Sequence, residues 1–257
     1  MIHLKSVRLE MINKELTGYP YNLPIIRNLD DIRFNKPVTI LVGENGTGKS
    51  TLLEGLASSY GSITIGGENV ETELSRELMD NLKLVWSIKT RKGFYFRAND
   101  FINFIKRLID IKQESKQAIN RIADKGKNNL EAMPHARTLY ELEKLYGQGL
   151  EYRSHGESFL DLFKVRFQPG GLYILDEPEA PLSPMKQLTL ISMMKEMVKA
   201  KSQFIIATHS PMLMAFPDAD ILAIEDGIIK NVSYDDLEHV NLTRDFLNRP
   251  ENFLRHL

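Results

Sequence analysis

Residues 43–50 read GENGTGKS, an octet whose residue types and spacing could hold a triphosphate. The pattern G-x-x-x-x-G-K-[ST] lets the backbone wrap a phosphate with several N–H groups turned inward. Lys49 would reach the β- and γ-phosphates, and the Ser50 hydroxyl would bind Mg²⁺. The predicted nucleotide-binding residues are Gly43, Asn45, Gly46, Thr47, Gly48, Lys49, Ser50 and Thr51.

The residues around the octet predict the strand and the helix that such a loop needs. PVTILV, residues 37–42, is short, apolar and β-branched, which is typical of a buried parallel strand. TLLEGLASSYG then places its leucines on one helical face and reaches a stop signal at Gly61. A helix beginning here adds the positive end of its dipole to the loop. Strand, loop and helix together indicate a nucleoside triphosphate site.

A second apolar run, LYILDEP (residues 172–178), brings two adjacent carboxylates to the end of a predicted strand. Ligands of parallel sheets bind at the carboxyl ends of strands. Asp176 could hold Mg²⁺ there as the acidic partner of Ser50. Glu177 points elsewhere and could orient or deprotonate the attacking water. An ordinary strand end is the alternative, and the phosphate loop favours the functional interpretation.

Two further segments carry polar groups beside predicted elements. FIIATHSP (residues 204–211) is a third apolar strand, after which His209 could donate a hydrogen bond to the γ-phosphate or to the attacking water. SHGES (residues 154–158) opens an apolar helix and could form a second anion-binding helix terminus. The same residues also suit an ordinary capping box between Ser154 and Glu157. Both interpretations of this segment can hold together.

Composition restricts the class of protein. The chain has 257 residues, 42% hydrophobic and 26% charged, as expected of a globular α/β protein. The sequence has no cysteine, which excludes disulfides, thiolate metal sites and cysteine nucleophiles. We expect no signal peptide, because the first residues are charged and lack an apolar region. No run approaches the roughly 18 apolar residues of a membrane span, so we expect a cytoplasmic protein.

Charge is distributed unevenly along the chain. Residues 83–127 hold twelve basic and four acidic side chains, a net charge of +8, against −9 for the remainder. Such a segment could bind nucleic acid or another polyanion. The alternative is a solvated helical surface whose lysines keep it soluble.

Alternating strands and helices predict an α/β fold with a mostly parallel sheet. Residues 1–36 read as N-terminal antiparallel strands, and residues 70–157 as an inserted helical lobe. Residues 231–257 follow a hairpin that turns at Asp226–Gly227. Their apolar residues have the spacing of one docked tail helix, namely Phe246, Leu247, Phe253 and Leu254.

From about residue 30 to 230, the order of motifs resembles that of ABC-type ATPase domains within the P-loop NTPases. LDEPEAPLSP and THSPMLMAFPDA resemble phrases of soluble members related to SMC, RecF and OLD-type ATPases. The tail, YDDLEHVNLTRDFLNRPENFLRHL, resembles small bacterial predicted ATPases linked to antiviral defence. The resemblance implies one ABC-type domain over residues 1–257, with ATP and Mg²⁺ as cofactors.

The resemblance also implies a head-to-tail homodimer on ATP binding, in which a signature segment contacts the γ-phosphate held by the partner. Glu177 would be the general base and His209 the γ-phosphate sensor. Tyr19 and Tyr21 are the candidates for stacking on adenine. The signature residues would be Ser154, His155, Gly156 and Glu157.

The sequence departs from the transporter pattern in three places. His155 stands where glycine is usual, and Ser183 stands where the D-loop has aspartate. No glutamine occurs between Ser50 and Gln113, so the Q-loop has only Asn99 as a substitute.

Three functions remain open. The first is a soluble ABC-type ATPase whose dimerisation acts on nucleic acid or on a partner protein. The second is the nucleotide-binding subunit of a membrane transporter. The third is a slow, nucleotide-gated regulatory module that signals to an effector such as a nuclease.

Overall fold

Two sheets organise the part of the chain that the structure, a computed structural model, describes. The described residues are 1–10, 18–65, 78–124, 129–146 and 155–255. One sheet has seven strands and is mostly parallel, and the other has three strands and is antiparallel. The predicted α/β class with N-terminal antiparallel strands is confirmed.

The large sheet carries the predicted phosphate-chemistry strands side by side. Its strands are β3 (Val38–Gly43), β4 (Thr64–Ile65), β6 (Gly93–Arg97), β7 (Leu172–Asp176), β8 (Gln203–Ala207), β9 (Asp220–Glu225) and β10 (Ile228–Val232). They lie in the order β10–β9–β3–β8–β7–β6–β4, parallel except for the β9–β10 hairpin. Strands β7 and β8 are buried along their whole length, because both faces of the sheet are covered.

The small sheet consists of β1 (Leu4–Leu9), β2 (Asp31–Arg33) and β5 (Leu82–Trp86), with β1 in the centre. It is joined to the large sheet through Gln203, the first residue of β8. The Oε1 atom of Gln203 accepts hydrogen bonds from the backbone N–H groups of His3 and Leu4, at 2.7 and 2.8 Å.

Helices cover both faces of the large sheet. They are α1 (Pro24–Arg27), α2 (Lys49–Tyr60), α3 (Ala98–Asp124), α4 (Asn129–Tyr146), α5 (His155–Arg166), α6 (Pro184–Lys199), α7 (Pro211–Met214), α8 (Glu238–Asn248) and α9 (Pro250–Leu254). Alternate residues of β3 enter different cores: Ile40 packs with residues of α3, α5 and α6, and Leu41 packs with residues of α2. The sheet therefore separates two hydrophobic clusters.

The range predicted as a helical insertion, 70–157, also supplies strands to both sheets. β5 lies beside β1 in the small sheet, and β6 lies between β4 and β7 in the large one. The helical part begins only at Ala98, where α3 starts and then packs against α4; these two helices are called the lobe below. The prediction missed β6 because charged residues flank its aromatic run.

The tail differs from the single docked helix that was predicted. It forms α8 and α9, divided at Pro250, where proline begins a new helix. Leu237 and Val240 are the residues buried against the body. Leu247 is 72% exposed, and Phe246 contacts Phe253 edge to face with ring centroids 5.7 Å apart. The four predicted docking residues are therefore wrong, since the two rings cover one another outside the core.

The hairpin prediction at Asp226–Gly227 is confirmed. Both residues have left-handed backbone, with φ of 51° and 75°, as a two-residue hairpin loop of this type requires.

Within the described ranges, no helix combines the length and the apolar character needed to cross a membrane.

Candidate nucleotide-binding site

The predicted site residues meet at the carboxyl edge of the large sheet. Strand β3 ends at Gly43 and leads into the phosphate loop. Asp176 at the end of β7 pairs in register with Ala207 at the end of β8 and with Arg97 at the end of β6. The loops that follow these strands therefore open on the same side, where parallel sheets bind ligands.

The phosphate loop requires glycine at two positions. Gly46 and Gly48 have φ of 83° and 93°, in the left-handed region that side chains disfavour. A Cβ atom on Gly48 would lie 2.6 Å from Cγ2 of Ile25, so α1 packs directly on the loop. Helix α2 begins at the next residue and directs its amino terminus at the loop.

Lys49 lies folded back into its own loop. Its Nζ atom donates hydrogen bonds to the carbonyl oxygens of Gly43 and Glu44, at 2.7 and 2.8 Å. Burial lowers the pKa of the Lys49 ammonium, and the carboxylates of Glu177 and Asp176 oppose that shift. The ammonium is thus held beside the loop by acceptors that phosphate oxygens can replace.

Asp176 presents one satisfied and one unsatisfied oxygen. Its side chain is 3% exposed, and Oδ2 accepts a hydrogen bond from Nε of Arg97 at 3.2 Å. Oδ1 is buried and has no hydrogen-bond partner among the described residues. A buried acceptor without a donor costs roughly 1–3 kcal/mol, which a water bound to Mg²⁺ would remove. Asp176 and Ser50, in the first turn of α2, therefore fit a magnesium site.

Glu177 and His209 are brought together although 32 positions separate them. Oε1 of Glu177 lies 3.9 Å from Nε2 of His209, and both side chains are partly exposed on the site. Glu177 has left-handed backbone, with φ of 50°, and its N–H donates to the carbonyl oxygen of Ala207 at 2.9 Å. Such backbone strain in a residue other than glycine concentrates at functional sites.

Glu179 is a site residue that the sequence did not single out. Its Oε1 atom accepts a hydrogen bond from the backbone N–H of His209 at 2.6 Å, which ties the loop after β7 to the loop after β8. Its Oε2 atom is buried without a partner in the described part of the chain. Burial raises the pKa of Glu179, and the bond from His209 opposes that shift. The signal available in the sequence was a third carboxylate in the proline-rich phrase LDEPEAPLSP.

The signature segment is described only in part. Ser154 lies outside the described residues, and α5 begins at His155. Gly156 is buried, and a Cβ atom there would lie 2.6 Å from the carbonyl oxygen of Pro181. Glu157 is exposed. The amino terminus of α5 thus packs on the loop that leads to α6.

Asn99 was the predicted substitute for the Q-loop glutamine. Arg97, and not Asn99, contacts Asp176, the predicted metal ligand. Asn99 is exposed in the first turn of α3. Arg97 bonds Asp176, and its Nη2 atom lies 3.4 Å from Oε2 of Glu54 on α2.

The two tyrosine candidates for adenine stacking are distinguished by burial. Tyr21 is 4% exposed and its hydroxyl accepts a hydrogen bond from Asn81, so it belongs to the core and the prediction is wrong for it. Tyr19 is 46% exposed, and its hydroxyl lies 2.9 Å from Oγ1 of Thr51 in the first turn of α2. Tyr19 stays a prediction.

As far as the structure describes it, up to residue 124, the basic segment 83–127 does not form one positive face. Arg97 belongs to the nucleotide site, Lys83 pairs with Glu10 at 2.8 Å, and Lys112 is buried. Acidic residues interrupt the exposed basic residues along α3 at helical spacing. The exposed charged residues of α3 are Lys106, Arg107, Asp110, Glu114, Lys116, Arg121 and Asp124.

Comparison with known proteins points to one class. A family model described as an AAA domain matches residues 21–131. The energy-coupling factor transporter ATP-binding protein EcfA1 of Mycoplasma genitalium is 28% identical over 235 residues, covering 90% of this chain and 80% of that protein. The ABC multidrug transporter SNQ2 of Candida glabrata is 23% identical over 226 residues, which is 80% of this chain. The chain spans only 14% of that relative's length.

A solved ATP-binding cassette shares the fold of this chain. An ATP-binding cassette of an ABC transporter, in its ADP conformation, is 17% identical with a TM-score of 0.50, covering 95% of this chain and 98% of that one. The SMC head domain of Thermotoga maritima is 18% identical with a TM-score of 0.44, covering 90% and 99%. In fold, motif order and relatives, the chain is similar to ABC-type P-loop ATPases.

Proposed function

We propose that the chain binds and hydrolyses Mg-ATP at a head-to-tail dimer interface, and that dimerisation acts on a partner macromolecule. The observation that carries the proposal is the approach of Glu177 to His209, within 3.9 Å, at the sheet edge that also holds Lys49. Carboxylate, imidazole and ammonium there have the chemistry of base, hydrogen-bond donor and phosphate ligand.

Each residue has a distinct task in this proposal. Lys49 exchanges its two carbonyl acceptors for oxygens of the β- and γ-phosphates. Glu177 accepts the proton of the attacking water, and His209 donates a hydrogen bond to the γ-phosphate. Bound Mg²⁺, held by Ser50 and Asp176, would neutralise charge on the phosphates. Phosphoryl transfer then depends on positioning, which the two loops joined by Glu179 supply.

The dimer is supported by the position of the signature segment. Gly156 near the amino terminus of α5 packs against Pro181, in the loop that follows the catalytic strand β7. In a head-to-tail pair this helix terminus would bind the γ-phosphate held by the partner's loop. A dimer therefore completes two sites at once.

Size-exclusion chromatography tests the dimer. Glu177→Gln with ATP should elute as a dimer, because it keeps the shape of the site but lacks the base. Adding Ser154→Arg should return it to monomer by blocking the partner's γ-phosphate. Adding Glu196→Gln, an exposed carboxylate on α6, is the matched control and should leave the dimer intact. A Glu177→Gln, Ser154→Arg protein that still dimerises with ATP contradicts the proposal.

A partner protein is the first candidate for the macromolecule, and the lobe is the proposed contact. Its exposed apolar residues suit a protein surface better than a phosphate backbone. They are Leu130, Met133 and Tyr140, all on α4. An effector in antiviral defence, or a membrane permease, would each meet this description, and co-purification distinguishes them.

Nucleic acid is the second candidate, favoured by the basic residues that α3 exposes. Binding of a labelled duplex at ~50 and ~200 mM salt tests it, since several phosphate contacts lose affinity steeply over this range. Reversing the exposed Lys106, Arg107 and Lys116 to Glu should abolish such binding. If the affinity for the duplex changes neither with ATP nor with these charge reversals, the partner protein is favoured.

A further inference from the structure

Arg97 joins the two elements that carry the predicted magnesium ligands. Its Nε atom bonds Oδ2 of Asp176 at 3.2 Å, and its Nη2 atom lies 3.4 Å from Oε2 of Glu54. Asp176 ends β7, and Glu54 lies on α2. One guanidinium group therefore connects the strand with the helix that follows the phosphate loop.

The connection lies next to the magnesium ligands on both sides. Glu54 follows Ser50 by four residues, so the two side chains leave the same face of α2 one turn apart. On the strand side, Arg97 occupies one oxygen of Asp176 and leaves Oδ1 unpaired and buried. Oδ1 is thus the oxygen available to the metal. The orientation of one ligand and the location of the other both depend on this arginine.

We propose that Arg97 is a positioning residue of the magnesium site, which holds Asp176 with Oδ1 open and fixes its separation from Ser50. The inference rests on the proposed function, because it assumes Mg²⁺ between these two residues. Only arginine suits the task, since its planar fork reaches two carboxylates at once, whereas lysine offers a point charge. Partial burial strengthens both contacts, since the Arg97 side chain is 29% exposed.

Magnesium titration of ATP binding tests the proposal without using turnover. The fluorescence of N-methylanthraniloyl-ATP is followed while Mg²⁺ is added to protein that has been treated with EDTA. Arg97→Gln should raise the Mg²⁺ concentration at half-saturation by about tenfold, as loss of a partner that orients a metal ligand does. Arg97→Lys should give a smaller increase, because it keeps one contact. Binding of the nucleotide without Mg²⁺ should be unchanged in both.

Two further variants separate positioning from general stability. Glu54→Gln removes one arm of the connection and should raise the half-saturation concentration less than Arg97→Gln does. Arg33→Gln breaks a more exposed arginine–aspartate ion pair in the small sheet, with Asp31 at 2.7 Å, and should leave the titration unchanged. If Arg97→Gln does not fold, Arg97→Lys and Glu54→Gln carry the test.

The outcomes are distinct. A half-saturation concentration within about twofold of wild type in Arg97→Gln and Arg97→Lys overturns the inference and leaves only a structural ion pair. Loss of nucleotide binding without Mg²⁺ in Arg97→Gln also overturns it, because the arginine would then contact phosphate. If nucleotide binding to the wild-type protein does not depend on Mg²⁺, the proposed function is overturned as well.

Discussion

The carboxyl edge of the large sheet and the lobe of α3 and α4 are built in opposite ways. At the sheet edge, strands with no exposed side chains end in charged groups that bond one another across loops. In the lobe, the buried apolar residues described lie in the first turns of α3, among them Phe101, Ile105 and Leu108. The far helix, α4, exposes Leu130 and Tyr140 at 73% and 66%. The chemistry thus lies on the rigid part of the molecule, and the surface suited to recognition lies on the part with fewer constraints.

The largest expected effect separates the chemistry from the scaffold. Glu177→Gln should lower the ATP hydrolysis rate by about 10²–10⁴-fold, because the proposed general base is lost. Affinity for ATP should stay at the wild-type value, since the side chain keeps its shape. A phosphate-release assay and a nucleotide titration measure the two quantities. Wild-type turnover in this variant would remove Glu177 from the mechanism.

Truncation in the lobe should depend on distance from the sheet. Phe101→Ala should lower the free energy of unfolding by about 3–5 kcal/mol, because the ring is fully buried at the anchor. Met133→Ala on α4 should change it by less than about 0.5 kcal/mol, because its side chain is 62% exposed. Urea denaturation followed by circular dichroism compares them. Equal losses would show that the lobe is packed as tightly as the sheet.

The adenine contact should be of intermediate size. Tyr19→Ala should weaken ATP binding by about 1–3 kcal/mol, the range of base–aromatic stacking. Tyr19→Phe is the matched control, because it keeps the ring and loses only the hydroxyl bond to Thr51. Equilibrium nucleotide titration distinguishes them. Unchanged affinity in Tyr19→Ala would place adenine elsewhere.

The smallest expected effect concerns the junction between the loops that follow β7 and β8. Burial raises the pKa of Glu179 above its ordinary value of 4.5, so the folded state favours the protonated carboxyl. Its contribution to stability is therefore present at low pH and is lost as pH rises through the folded-state pKa. Glu179→Gln, which stays neutral and can accept the bond from His209, should melt higher than wild type at about pH 7.5. The gain should be on the order of 1 kcal/mol and vanish near pH 4. A gain independent of pH contradicts burial of the charge.

Local patterns predicted the elements whose signals are contained in one segment. The strand before the octet and the helix after it were predicted correctly, because glycine spacing and apolar periodicity are local properties. The same holds for LYILD and FIIA, whose uninterrupted apolar runs require a sheet covered on both faces. The meeting of Glu177 with His209 also followed, since parallel strands end on the same edge.

Properties that depend on distant partners were not predicted. Strand β6 is fixed by pairing with β7, which is 79 positions along the chain, and Arg97 gains its contacts from that pairing. Tyr19 and Tyr21 have the same side chain. The buried one, Tyr21, is distinguished by its hydrogen bond with Asn81, which is distant in the sequence. The net charge of residues 83–127 was likewise a sum over residues that are close in sequence but do not lie together in space.

Arg97 ends β6 and the next residue begins α3. Arg97 is therefore the point about which this long helix would tilt. Ala98 begins a helix of 27 residues, about 40 Å in length at 1.5 Å per residue. A tilt of ~5° at the pivot would carry the far end by roughly 3–4 Å over that length, while Asp176 beside the pivot moved by a fraction of an ångström. Conversely, a partner that displaced the far end of α3 would move the carboxylate of Asp176 by a much smaller distance.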